Sequence, residues 1–125
     1  RFLEARERYP VGSEDWAEAT AVAIHMLAQK VCAEVAKPEW WNDEGLKTLS
    51  ARVVRAAPNY DGAHLMRATV LSAGDGSWEA GPRWAADLRK AATHYERAAA
   101  LCDAPLVKAE HADLADWCRS RAEAG

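Results

Sequence analysis

Residues 91–101 read Ala91-Ala92-Thr93-His94-Tyr95-Glu96-Arg97-Ala98-Ala99-Ala100-Leu101. A small residue at 91 is followed by an aromatic four positions on, at 95, and by a second small residue three further, at 98. Spacings of four and three put all three side chains on one stripe of an α-helix. Small residues on both sides of a large one let a neighbouring helix approach closely. The stripe continues backward through Leu88 and Trp84 and forward to Cys102, so the helix predicted here opens at Pro82, a residue well suited to a first helical position. Asp103-Ala104-Pro105 turns the chain, and a last helix follows carrying Val107, His111, Leu114, Trp117 and Cys118. The two together form a helical hairpin.

Toward the N-terminus the same grammar repeats. Gly74-Asp75-Gly76-Ser77 is a strong breaker, and residues 74–81 form an inserted loop bearing Trp78. Before it, a helix starting at Asn59 or Asp61 aligns Ala63, Met66, Val70 and Ala73, with Leu65, Ala68 and Leu71 beside them. A third helix lies between an Asn42 cap and Pro58, with Leu46, Leu49, Val53 and Ala56 as its stripe. The second and longest helix begins with Asp15 as cap and Glu18 three positions later, and ends at Lys37-Pro38. Its stripe is Thr20, Ile24, Leu27, Val31 and Val35, widened by Val22, Met26 and Cys32. Residues 1–9 read as a helix remnant stopped by Pro10-Val11-Gly12, and residues 38–42 as a connection whose adjacent Trp40 and Trp41 cannot both face one core from a regular element.

The 125 residues suit a single domain, 1–125. Half are hydrophobic, largely alanine, while Phe and Ile occur once each, which disfavours a sheet. The expected class is therefore all-α. Six Trp must supply much of the large apolar volume. Sixteen basic against 19 acidic residues leave a net charge of −3, unlike a chain held by nucleic-acid phosphates. Cys32, Cys102 and Cys118 are odd in number and unpaired in spacing, so they read as buried thiols in a reducing intracellular compartment. No apolar run reaches the ~20 residues of a membrane span. The chain begins at Arg1, which fits either a piece of a longer protein or removal of an organellar targeting segment.

Ala91, Tyr95 and Ala98, followed by Pro105, resemble the second helix of the tetratricopeptide family, whose helix-pair repeats run about 34 residues. Leu46, Ser50, Val53 and Pro58 keep the same spacing with other residue types. The resemblance covers roughly residues 43–121, and the extra length between Val53 and Ala98 matches the Gly74–Gly81 loop with a lengthened helix. It implies stacked antiparallel helical hairpins, a solenoid segment, with ligands along the inner face formed by the first helix of each pair and no catalysis. The alternative is an irregular helical bundle with alanine-rich seams.

Four constellations bear on function. His94, Cys102, His111 and Cys118 invite zinc, but lack the tight ligand pairs zinc sites use, so no metal is expected. His111 beside Glu110, Asp113 or Asp116 suggests acid–base chemistry, yet there is no nucleophile oriented by such a pair and no phosphate loop. Tyr60, His64 and Arg67 fall at i, i+4 and i+7 and are the first candidates for partner contact; an ordinary polar helix face is the competing reading. Trp41 and Trp78 are the others, as anchors if exposed and as plugs of hairpin ends if buried. The sequence therefore points to a protein-binding scaffold or adaptor without cofactor or catalytic residue, whose partner is another protein or complex and not nucleic acid. The alternatives are a structural accessory subunit of a larger complex, including peripheral association with an organellar photosynthetic or respiratory membrane complex, and a helical-bundle enzyme, which no motif supports.

Overall fold

The computed structural model describes residues 4–28, 38–73 and 83–124. The Gly74–Gly81 loop with Trp78, the Pro82 helix start and the stripe positions Val31, Cys32 and Val35 lie outside the described residues. All regular structure among the described residues is α-helical: α1 Glu4–Glu7, α2 Glu14–Ala28, α3 Asp43–Ala56, α4 Asp61–Ser72, α5 Ala85–Leu101 and α6 Pro105–Ala124.

Local chemistry accounts for the helix ends. Ser13 Oγ accepts from the Trp16 backbone N–H at 3.2 Å, so Ser13 caps α2 and the expected cap, Asp15, lies inside the first turn. Asn42 Oδ1 accepts from Gly45 N–H at 2.8 Å, the cap expected for α3. α5 begins at Ala85, after Trp84, whose backbone N–H donates to Asp87 Oδ2 at 3.1 Å. Trp84 is therefore a cap residue and not a member of the α5 stripe, and it is 70% exposed.

α4 is the central helix. It packs on α2 and α3 through Ala63, Met66 and Val70, which join Trp16, Ile24, Leu46 and Val53 in one core. It packs on α5 through Ala68 and Leu71, which meet Ala91, Ala92 and Tyr95 in a second core. α6 covers α5, closing that second core with Ala115 and Cys118. Ala91, Tyr95 and Ala98 are all buried, as their spacing predicts. Consecutive helices from α3 to α6 each pack on the next.

Several large apolar residues sit elsewhere than their spacing suggested. α6 buries His111, Ala115, Cys118 and Ala122, and leaves Val107, Leu114 and Trp117 exposed. Alanine and cysteine allow α6 to lie close on α5, and the bulky side chains are displaced to the edge of that seam. Val22 and Met26, expected to widen the buried stripe of α2, are exposed too. Trp40 and Trp41 both pack on the first core, because the chain there is an irregular turn, Trp41 N–H donating to Pro38 O and Asn42 N–H to Trp40 O.

Candidate functional site

α2 and α6 stand on either side of α4 without extensive contact with each other. The space between them is an open, mainly apolar groove of about 850 Å³. Gly62, Leu65 and Thr69 of α4 form its floor, Val22 and His25 of α2 one wall, and Asp113, Leu114 and Trp117 of α6 the other. The floor exists because α4 spends two of its faces on the two cores and has a third left over. The walls follow from the displaced bulky residues: Val22 is 54% and Trp117 48% exposed. Arg121 lies over the Trp117 ring, 4.6 Å from its centroid, and holds the indole at the groove edge.

Tyr60 closes one end. Its ring lies against Gly62, where an added Cβ would come within 2.5 Å of the ring carbon bearing the hydroxyl. Burial, reinforced by the negative charges of Asp61 and Glu18, pushes the phenol pKa above its ordinary value. Asp61 lies between Tyr60 and Gly62, and Glu18 stands one turn before Ala21 and Val22 on α2, so both carboxylates border the Tyr60 end of the groove, and Asp113 adds a third on its wall.

The other candidate residues are placed differently. His64 faces away from the groove and is 6% exposed. Its Nε2–H donates to Pro58 O at 2.7 Å, which fixes the tautomer because a carbonyl only accepts. Its Nδ1 meets His94 Nδ1 at 3.0 Å, with the two rings stacked 26° apart in plane. With both rings neutral, His94 supplies the hydrogen between them. Arg67 turns toward α3, where Nη1 donates to Lys47 O at 2.7 Å and to Ser50 Oγ at 3.1 Å. Tyr60, His64 and Arg67 thus share a helix but not a surface. Trp41 is half-buried against the first core.

Burial, with the neighbouring basic groups His64, Arg67 and Lys90, holds the His94 pKa at about 4. His94, Cys102, His111 and Cys118 are not gathered together. His94 pairs with His64, Cys102 ends α5 with Sγ near Ala104 O, and His111 and Cys118 lie in the α5–α6 seam. Burial raises the Cys118 thiol pKa. Among the described residues no three His, Cys, Asp or Glu side chains are placed to hold a metal ion. No helix among them is long and apolar enough to cross a membrane.

Among the described residues that line the groove, only Tyr60 stands among the sequence candidates. Val22, Leu65, Leu114 and Trp117 read as core, and one signal against that reading was available. α6 carries a stripe of small residues, 115/118/122, continued by His111, beside the bulky pair 114/117, more surface than one neighbouring helix can cover. Comparison with protein-family models, curated proteins and solved structures finds no match. The fold and the groove define the chain as an all-α bundle with an open apolar groove.

Proposed function

We propose that this chain is a non-catalytic protein-interaction scaffold that holds a segment of a partner protein in the groove over α4. The observation that carries the reading is the groove itself, about 850 Å³ and framed by exposed Val22, Leu114 and Trp117. Contiguous exposed apolar surface rimmed by polar groups marks interaction sites, and Trp in such a place is the commonest kind of anchor. Tetratricopeptide-like stacking of α3 to α6 belongs to the same proposal. Its support is the buried Ala91–Tyr95–Ala98 stripe and the packing of each helix on the next. α4 is then the first helix of a pair and lines the inner face.

The test is affinity capture from the native source with the immobilised chain, run in parallel with Trp117→Ala and Leu114→Ala. Proteins retained by the parent and lost from both variants, at unchanged helicity, support the groove. A partner set identical across all three sinks it.

A structural subunit of a larger assembly is the second reading, favoured by Trp84 and Leu106, which flank α5, lie outside the groove and are 70% and 82% exposed. An adaptor is soluble alone, whereas an obligate subunit aggregates when separated from its assembly.

A further inference from the structure

The groove has a length, a chemistry and a polarity, and together they describe its occupant. The α4 side of the groove runs from Gly62 to Ser72, about 15 Å at helical rise, which matches roughly three turns of a second helix. Its lining is mainly apolar, and the large side chains come from both walls and the floor, so an occupant is gripped along one face and open to solvent along the other. That is the arrangement that receives an amphipathic helix. The charges are unevenly spread. Asp61, between Tyr60 and Gly62, and Glu18, one turn before Ala21 and Val22, border one end, and Asp113 lies on the α6 wall. Arg121, beside the α6 wall, is turned onto the Trp117 ring, and among the described residues His25 is the basic group that lines the groove. Three carboxylates at an apolar slot favour a cationic visitor and disfavour an anionic one.

We infer that the groove takes a short amphipathic α-helix of a partner protein, bearing Lys or Arg in the turn that meets Glu18, Asp61 and Asp113. This rests on the groove reading above and adds the partner's shape and charge. Apolar contact with Val22, Leu65, Leu114 and Trp117 supplies most of the affinity, and the carboxylates choose the sign and the direction of the bound helix.

Two synthetic amphipathic peptides test it. Each is about 18 residues, long enough to form helix in part, with leucines at i, i+3, i+4 and i+7; one carries lysines in its first turn and the other glutamates. Binding is read by fluorescence anisotropy of labelled peptide against the whole chain. The lysine peptide is expected to bind about tenfold tighter at low salt, with the gap closing in ~0.5 M NaCl as the charges are screened. Asp113→Asn together with Glu18→Gln should narrow the gap while leaving helicity unchanged. Equal or tighter binding of the glutamate peptide overturns the inferred charge and leaves the groove reading standing. Binding of neither peptide, or binding that survives Trp117→Ala, overturns both. A concentration-dependent dimer in sedimentation that Trp117→Ala abolishes makes a second copy of this chain the occupant, and overturns the inference in favour of self-association.

Discussion

Arg83 and Asp43, forty positions apart, meet in a two-pronged ion pair, Nη2 to Oδ1 at 2.6 Å and Nη1 to Oδ2 at 2.9 Å. Arg83 Nη2 also donates to Val70 O at 2.8 Å. One guanidinium, 4% exposed, thus ties the first residue of α3 to the last turn of α4 and to the segment entering α5. The carboxylate sits at the positive end of α3 and the bonded carbonyl near the negative end of α4, so both helix dipoles favour the contact.

Removing Arg83 takes two short hydrogen bonds from the mostly buried Asp43 carboxylate, which keeps Lys47 at 3.6 Å, and a loss there costs more than the loss of a surface pair. Arg83→Met is expected to lower stability by about 2–4 kcal/mol, the lower end reflecting the partial exposure of Asp43. Urea unfolding followed by circular dichroism measures it, and a change under about 0.5 kcal/mol would place the pair among ordinary surface contacts.

Ala98→Leu adds three carbons to the α5 stripe at a position with no exposed surface. Overpacking there should cost about 1–3 kcal/mol. The same substitution at Ala115, where α6 meets α5, should behave alike, because both alanines set the closeness of neighbouring helices. A thermal melt unchanged in either variant means that the seam has slack.

Gly45 lies in the first turn of α3, directly beside the Trp40 carbonyl oxygen, and an added Cβ would collide with that oxygen. Ala is ordinarily the better helix former by about 1 kcal/mol. Here the clash with backbone outweighs that gain, so Gly45→Ala should lower stability by about 1–2 kcal/mol. A more stable variant would show that the Pro38–Trp41 turn yields freely.

Stability should fall with acidification through the His64–His94 pair. An imidazole in the unfolded chain takes its proton near pH 6.5, while folded His94 resists until about 4. Between those values the unfolded state binds more protons, so the contribution is intact above about pH 6.5 and declines as pH drops toward 4. Doubly protonated rings cannot share a hydrogen across the 3.0 Å Nδ1–Nδ1 contact. His94→Gln should flatten the pH dependence of the melting temperature in this window. Identical slopes in parent and variant would remove the pair from the acid response.

Among aromatic and cationic residues, binding and folding roles should separate. Trp117→Ala should cost about 2 kcal/mol or more of partner binding with helicity retained, since it lines the groove and is half exposed, whereas Tyr60→Ala, which lines the groove and also packs on the first core, should lower both binding and stability. Trp41→Ala and Arg67→Ala should instead lower stability, because Trp41 packs on the first core and Arg67 bridges to Lys47 and Ser50. Binding that survives the first two substitutions yet vanishes in moderate salt would replace the aromatic anchor with an electrostatic contact.

Periodicity and punctuation were enough for the helices themselves. Asn42 and Pro58 bound α3, and the Ala91–Tyr95–Ala98 spacing identifies a buried stripe, because caps, prolines and a 3.6-residue repeat act within a few residues of themselves. Which of two apolar stripes is covered was not legible in the same way. Val22, Leu114 and Trp117 have the hydrophobicity of core residues, and they are exposed because α2 and α6 meet no helix on that side among the described residues. His64 lies at a spacing that joins it to Tyr60 and Arg67, yet α5 draws it to His94, α3 draws Arg67 to Lys47, and Tyr60 alone reaches the groove. The Arg83–Asp43 pair spans forty positions and leaves no periodic trace. The sequence by itself determined where this chain is helical and which side chains share a face. Only the tertiary structure decided which faces meet a neighbour, because burial depends on the number and direction of packed helices, and those are set by contacts distant along the chain.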